Sequence, residues 1–291
     1  MRIRIFPWRT PSNSATSLRD AFREMGHDAL LIRRENSRYT PRSDDIIINW
    51  GSGSTFPGVA AWGAAVLLNS PGSVALASNK RDTLVRLQER GVSTVDFTTS
   101  QATARQWAGN RSTVFCRTRL RSSQGAGIVL YDGDGVLPEA PLYTKGETGK
   151  EYRVHVMIDR DGNPQTVKVQ KRWKEVDDHR IRNHPNGYTF ITGGFRRPHH
   201  IRDLAASAIQ ALGLDFGSVD IINAEQPDGT KVLKVLEVNT ASGLEGSSPR
   251  EMAEAFVTHM LPTLDSTPPA PEPNDWTFDP DTEVKVRRRA A

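Results

Sequence analysis

Two polar residues at the end of an apolar run, Glu237 and Asn239, are well suited to hold a metal ion. They stand two positions apart, so a β-strand directs both side chains to the same face. A second apolar run carries Asp220, and the sequence between the runs, Pro227-Asp228-Gly229, is typical of a hairpin turn. If the runs pair, Asp220 joins Glu237 and Asn239 in one set of carboxylate and amide oxygens. Hard cations such as Mg²⁺ prefer these ligands.

The same residues also allow a simpler interpretation. Glu237 and Asn239 can mark the point where a strand enters the Gly/Ser-rich segment that runs to Ser248, without binding any ligand. The two interpretations stay open until the rest of the chain is considered.

A second feature is the segment of small residues from Arg121 to Ala126, which separates two predicted strands. Small residues let backbone N–H groups approach a polyanion closely, and neighbouring hydroxyls donate to phosphate oxygens. The segment opens no helix and lacks a Gly-Lys-Ser/Thr ending, so it is neither a dinucleotide fingerprint nor a P-loop. It is therefore a candidate phosphate loop, and an ordinary turn is the alternative.

Apolar spacing predicts an α/β protein in which strands and helices alternate. Strands are expected at 2–6, 29–32, 46–49, 66–69, 113–120, 127–131, 141–144, 151–158, 165–173, 216–222 and 232–239. Helices are expected at 12–25, 79–90, 100–108, 201–212 and 249–261. The first 75 residues read as a small parallel sheet. A long polar stretch at 174–197 contains Arg182 and Asn183, and such a loop inside a compact domain favours a functional role.

Composition limits the class of protein. The chain has 291 residues, of which 37% are hydrophobic and 25% charged, as in an ordinary globular protein. Its single cysteine, Cys116, excludes an internal disulfide and a cysteine-built zinc site, and its apolar surroundings predict burial. No apolar run is long enough to span a bilayer and no signal peptide is evident, so we expect a cytoplasmic protein without a membrane partner. A net charge of +4 favours polyanionic partners only weakly.

Six motifs, taken in order, resemble those of the ATP-grasp superfamily of carboxylate–amine ligases, closest to the branch of the ligase that adds glutamate to a ribosomal protein. The motifs are Asn79-Lys80 at the start of a helix, RSSQGAGIV, EYRVHV, RIRN followed by GG, FGSVDII and LEVNTASGL. The resemblance covers residues 76–262. It implies a small N-terminal α/β domain at 1–75, an α+β ATP-grasp part with subdomains at 76–140 and 141–265, and a disordered Pro-rich, basic tail at 266–291.

The resemblance also implies a role for individual residues. The ATP-binding set is Lys80, Arg117, Ser122, Ser123, Gly125, Gly127, Lys145 and Glu151, with Lys145 beside the adenine and Glu151 at the ribose. The metal ligands are Asp220, Glu237 and Asn239, and the catalytic residues near the acyl phosphate or acceptor are Arg153, Arg182 and Asn183. Arg117 departs from the family pattern, which has lysine there, and a guanidinium neutralises phosphate as a planar fork where lysine acts as a point charge.

The implied reaction is ATP- and Mg²⁺-dependent, with Mn²⁺ as the alternative metal. A carboxylate takes the γ-phosphoryl group, an amine displaces phosphate from the acyl phosphate, and ADP is released. The substrates are small-molecule or peptide carboxylates and amines. Two alternatives stay open: a phosphotransferase on the same fold, and a nucleic-acid-associated ligase suggested by the alternating Arg117, Arg119 and Arg121. The nucleic-acid alternative is not favoured, because aromatic residues for base stacking are missing beside these arginines. A homo-oligomer is expected from the resemblance alone.

Overall fold

The computed structural model describes residues 2–35, 37–54, 65–122, 125–261, 276–278 and 285–287. The chain divides into two compact units, 1–260 and 261–291. Ser123 of the candidate phosphate loop lies outside the described residues.

The first unit begins with a four-stranded sheet in which every pairing is parallel, in the order β2-β1-β3-β4. The strands are β1 (Arg2–Pro7), β2 (Asp28–Leu31), β3 (Asp45–Trp50) and β4 (Val66–Leu68). Helix α1 (Asn13–Glu24) follows β1, and the side chain of Ser12 caps it by accepting from the amide of Ala15. The central strand β3 is buried along its whole length, as its run of three isoleucines requires. The predicted small parallel sheet is confirmed.

A second four-stranded sheet is antiparallel, in the order β5-β8-β6-β7. Before and within it come helices α2 (Pro71–Ser78), α3 (Lys80–Glu89) and α4 (Gln101–Gly109), and its strands are β5 (Phe97–Thr98), β6 (Val114–Arg117), β7 (Ile128–Tyr131) and β8 (Leu142–Lys145). Asn79 caps α3 through its side-chain oxygen, which brings Lys80 to the first turn. The strand predicted at 113–120 ends at Arg117, because the chain then enters the candidate phosphate loop. Cys116 is fully buried, as expected.

The third sheet has five antiparallel strands in the order β11-β10-β9-β12-β13. These strands are β9 (Gly149–Ile158), β10 (Pro164–Trp173), β11 (Thr189–Ile191), β12 (Phe216–Glu225) and β13 (Lys231–Asn239). The predicted hairpin is confirmed, since β12 and β13 pair and Gly229 in the turn has φ of 81°. Helix α5 (Ile201–Ala211) precedes β12, and α6 (Ser248–Ala255) follows β13 and continues as a π-helical turn, Phe256–Met260.

The two faces of this sheet have different chemistry. Apolar residues such as Val154, Val219 and Val235 are buried in one cluster with Ala205 and Ala208 of α5. Each fully buried side chain of this size contributes about 1.5–3 kcal/mol. Because successive side chains of a strand point to opposite faces, the residues that alternate with these apolar ones lie on the other face of the sheet. The polar residues of the sheet are therefore collected on one surface.

Register then sets which polar residues are neighbours. Arg153 of β9 lies opposite Gln170 of β10 on one side and opposite Asp220 of β12 on the other. Asp220 in turn lies opposite Glu237 of β13. These four residues form one row across the sheet, which places the proposed carboxylate ligands Asp220 and Glu237 side by side.

Part of the chain differs from the pattern expected from the sequence. The polar stretch at 174–197 contains β11 and a short 3-10 turn, His184–Asn186, and helix α2 was not expected. The second unit contributes two paired strands among the described residues, β14 (Trp276–Phe278) and β15 (Lys285–Arg287). Across the described part of the chain, every helix is too short or too polar to traverse a bilayer.

Candidate active site

The polar face of the five-stranded sheet forms one wall of a cleft of about 1610 Å³. The opposite wall comes from the start of α3 and from the loop after β6, which contribute Lys80, Ser122 and Gly125. The cleft therefore lies between the two places at which the sequence concentrates polar and small residues.

Asp220 is the most tightly bound carboxylate in this cleft. It accepts from Arg153 through two parallel bonds, Nε to Oδ1 at 2.6 Å and Nη2 to Oδ2 at 2.7 Å. Arg172 donates from Nη2 to the same Oδ2 at 3.0 Å. Burial opposes ionisation of Asp220, but Arg153 and Arg172 outweigh it and hold the pKa of the carboxyl below its usual value. The proposed metal ligand is thus paired with two guanidinium groups in this structure.

The charges continue in an alternating chain along the sheet. The Arg172 Nε lies 3.1 Å from Glu151 Oε2 and forms an ion pair with it, but the Nε–H makes no hydrogen bond to this oxygen. Arg182 donates from Nη1 to Glu151 Oε1 at 3.2 Å and makes two bonds of 2.9 Å to Asp177. Burial raises the pKa of Glu151, and the two arginines offset this only in part. Arg182 thereby ties the segment after β10 to the polar face of the sheet.

An aromatic ring supports two of these arginines. The guanidinium carbon of Arg153 lies 4.4 Å from the ring centroid of Phe190, and that of Arg172 lies 4.7 Å from it. Phe190 is the central residue of β11 and lies directly opposite Arg172 in the sheet register. Both distances are within the range of a cation–π interaction.

Glu237 and Asn239 lie in a more open environment than Asp220. The Asn239 amide donates to Glu237 Oε1 at 3.2 Å, and the other carboxylate oxygen of Glu237 is 3.9 Å from Lys80 Nζ. The Glu237 side chain is 36% exposed towards the cleft. No group of three acidic, histidine or cysteine side chains suited to a metal occurs among the described residues. A carboxylate and an amide oxygen nevertheless fit Mg²⁺, which is commonly held by one or two carboxylates together with phosphate oxygens.

The candidate phosphate loop contacts both neighbouring walls. Lys80 Nζ donates to the Ser122 carbonyl at 2.6 Å, so the lysine holds the loop and approaches Glu237 with the same ammonium group. Gly125 has φ of 76°, and a Cβ there would lie 2.7 Å from Asn183 Nδ2. The absence of a side chain therefore lets the loop approach the segment that carries Arg182 and Asn183. Gly127 has the same φ and packs on Arg119.

Arg117 and Lys145 also line the cleft. Arg117 Nε donates to Thr144 Oγ1 at 3.3 Å, and burial lowers the pKa of its guanidinium while Glu237 opposes the shift. Lys145 is the last residue of β8, and its Nζ lies 3.6 Å from Asp96 Oδ2. Every described member of the expected set except Gly127 therefore lines this cleft.

Two residues of this arrangement were not selected from the sequence. Arg172 alternates with Lys168 and Gln170, so its place on the polar face could have been found from strand spacing alone. Phe190 gives no such signal, because it belongs to a three-residue strand inside a polar stretch. His155 is also on this face and is 2% exposed, with Nε2 at 3.1 Å from Gln170 Oε1. Burial first, and then Arg153, lower the pKa of His155 to about 4.

No protein-family model matches the sequence, and no curated protein is similar to it at a significant level. Solved structures are similar in fold. The ATP-grasp ligase PsnB complexed with a minimal precursor has a TM-score of 0.62 at 14% identity, covering 89% of this chain and 99% of PsnB. A further structure of PsnB contains the precursor, Mg and ADP.

Two bacterial enzymes show the same similarity. D-alanyl-alanine synthetase A from Vibrio cholerae has a TM-score of 0.62 at 13% identity, covering 87% of this chain and 93% of the synthetase. N5-carboxyaminoimidazole synthetase from Staphylococcus aureus, complexed with ADP, has a TM-score of 0.63 at 12% identity, covering 90% of this chain and 78% of the synthetase. The cleft between the two antiparallel sheets therefore belongs to a chain with the fold of the ATP-grasp ligases.

Proposed function

We propose that this protein is an ATP- and Mg²⁺-dependent ligase that joins a carboxylate to an amine through an acyl phosphate and releases ADP and phosphate. The observation that carries the proposal is the position of Lys80. Its ammonium group holds the candidate phosphate loop at Ser122 and lies 3.9 Å from Glu237 of the opposite wall. The candidate phosphate loop and the candidate oxygen ligands for a metal meet at this point, which supports a site for a nucleotide with Mg²⁺.

We assign the residues of the cleft to three roles in this reaction. Glu237 and Asn239, with Asp220 beside them, would hold Mg²⁺, which neutralises charge on the phosphates when bound. Lys80, Arg117 and the loop at Ser122–Gly127 would hold the phosphates, while Lys145 and Glu151 would lie at the adenine and ribose. Arg153, Arg182 and Asn183 would face the reacting carboxyl group.

Positioning and neutralisation are sufficient for the chemistry. A carboxylate oxygen attacks the γ-phosphorus as the bond from that phosphorus to ADP breaks. The amine nitrogen then attacks the carbonyl carbon, loses a proton, and displaces phosphate. Arginine side chains stabilise the negative charge that develops on the oxygens in both steps. No nucleophile from the protein is required.

Peptides are the substrate class that we favour. PsnB is a structural neighbour whose structures contain a precursor peptide, and the dipeptide-forming D-alanyl-alanine synthetase is another. The ribosomal-protein glutamate ligase, which the sequence motifs resemble most closely, also acts on a polypeptide. The cleft of about 1610 Å³ has room for a nucleotide and a second substrate.

The test is product analysis with Mg²⁺-ATP and pooled amino acids and peptides, by nucleotide chromatography and mass spectrometry. We expect ADP and phosphate to form together with a product whose mass equals two substrates less one water. Glu237→Gln should abolish this turnover, because the metal loses its open carboxylate. Glu245→Gln is the matched control, since Glu245 is an exposed acid lining the same cleft.

Other outcomes contradict the proposal in different ways. A stable phosphorylated product without joining would identify a phosphotransferase. Formation of AMP would indicate adenylation and direct attention to nucleic-acid ends. Full turnover in Glu237→Gln would remove the proposed metal site.

A further inference from the structure

We infer that Phe190 is a positioning residue, which holds Arg153 and Arg172 side by side as a binding site for a tetrahedral oxyanion. The inference rests on the proposed function, in which a phosphoryl group is transferred at this cleft. It adds Arg172 and Phe190 to the expected site, and it assigns to the aromatic ring a task that is separate from packing.

The three residues lie on three adjacent strands. Phe190 of β11 is the register partner of Arg172 in β10, and Arg153 of β9 lies opposite Gln170, two positions from Arg172 along β10. The ring is half-buried and lines the cleft. Both guanidinium carbons lie over it, at 4.4 Å and 4.7 Å from the centroid. One ring therefore contacts both cations on the same wall of the cleft.

Stacking leaves the hydrogen-bond donors of an arginine free, whereas an ion pair uses them. A guanidinium has five N–H donors in its plane, and an aromatic ring contacts the face of that plane. Arg153 donates to Asp220 through Nε and Nη2, which leaves Nη1 without a protein acceptor in the described part of the chain. The ring therefore immobilises the cation without occupying the group that can receive a ligand.

The ring also keeps the arginines in place when their acidic partner changes. Arg153 and Arg172 share the carboxylate of Asp220 as a partner, and Arg172 also donates from Nη1 to the Arg182 carbonyl and has its Nε near Glu151. An oxyanion that binds between them competes with that carboxylate for N–H donors. The stacking contact is unaffected by this exchange, so the cations stay beside the incoming anion. Phosphate and a phosphorylated carboxyl group are anions of the right shape and charge for two neighbouring guanidiniums.

The test measures the affinity of the protein for inorganic phosphate in the presence of saturating Mg²⁺-ADP, by calorimetry. Phe190→Leu keeps an apolar side chain in β11 and removes the aromatic face. We expect about tenfold weaker phosphate binding, equivalent to about 1.4 kcal/mol. Phe190→Tyr keeps the ring and should bind phosphate as the wild-type protein does. The affinity for Mg²⁺-ADP itself should be the same in all three proteins.

Phe195→Leu is the matched control for lost packing. Phe195 is a half-buried aromatic residue that packs against Tyr152 at a centroid distance of 5.8 Å, on the apolar side of the sheet. Its replacement should lower the melting temperature without weakening phosphate binding. Equal phosphate affinity in Phe190→Leu and wild type would overturn the inference, as would an equal loss in Phe195→Leu or no phosphate binding by the wild type. Failure of the wild type to bind Mg²⁺-ADP would instead overturn the proposed function.

Discussion

Replacing Asp220 with asparagine tests the charge arrangement of the cleft without any substrate. The Asp220 side chain is 4% exposed, and those of Arg153 and Arg172 are 14% and 12% exposed. Solvent therefore screens these charges little. Asp220→Asn keeps the size of the side chain and one acceptor oxygen, but it leaves two buried guanidiniums without their shared counter-ion.

The expected loss of stability is large for a single substitution. Removing one partner of a buried ion pair costs about 3–5 kcal/mol. Because asparagine keeps an acceptor and Glu151 stays near Arg172, we expect the lower limit, about 3 kcal/mol. For a protein of this size that loss lowers the melting temperature by about 5 °C.

The assay is thermal and urea unfolding followed by circular dichroism, in EDTA so that no divalent metal contributes. Glu237→Gln is the control, because its carboxylate is more exposed and its nearest cation, Lys80, is 3.9 Å away. That substitution should change the free energy of unfolding by less than about 1 kcal/mol. A free energy of unfolding of Asp220→Asn within about 1 kcal/mol of wild type would refute the reasoning, as would an equal loss in Glu237→Gln.

Two further predictions concern the loop and the buried histidine. Gly125→Val should raise the ATP concentration for half-maximal turnover about tenfold, because the new side chain meets Asn183. Gly135→Val is its control in steady-state kinetics, since Gly135 has φ of 77° but no atom within 4 Å of a Cβ, and an equal effect there would contradict the role of the contact. Burial lowers the pKa of His155 from 6.5 to about 4, so the unfolded chain binds the extra proton and stability should fall as the pH drops through that window. Urea unfolding across this range should show a smaller decrease for His155→Gln, and an unchanged slope would contradict burial as the cause.

Local sequence was enough to predict most of the secondary structure that frames the cleft. The hairpin of β12 and β13 followed from two apolar runs around Pro227-Asp228-Gly229, and the structure has it in the expected place. The helix that begins at Lys80 was expected at 79–90 from its apolar spacing and from Gly91 after its last turn. Such features depend on residues close in the chain, so their physical causes are visible in the sequence. Strand β11 was missed because three residues give too little periodicity.

The sequence by itself selected the candidate residues. Two-residue spacing puts Glu237 and Asn239 on one strand face, and the resemblance to the ATP-grasp ligases implies the nucleotide-binding set. Only the tertiary structure decided their partners. Asp220 was expected beside Glu237, and register places it there, but the neighbouring strands also bring Arg153 and Arg172 to its carboxylate. Phe190 enters the site from β11, the strand that follows β10 after the polar stretch. Pairing between distant strands depends on the burial of the opposite, apolar face, a property of the whole sheet that no local pattern records.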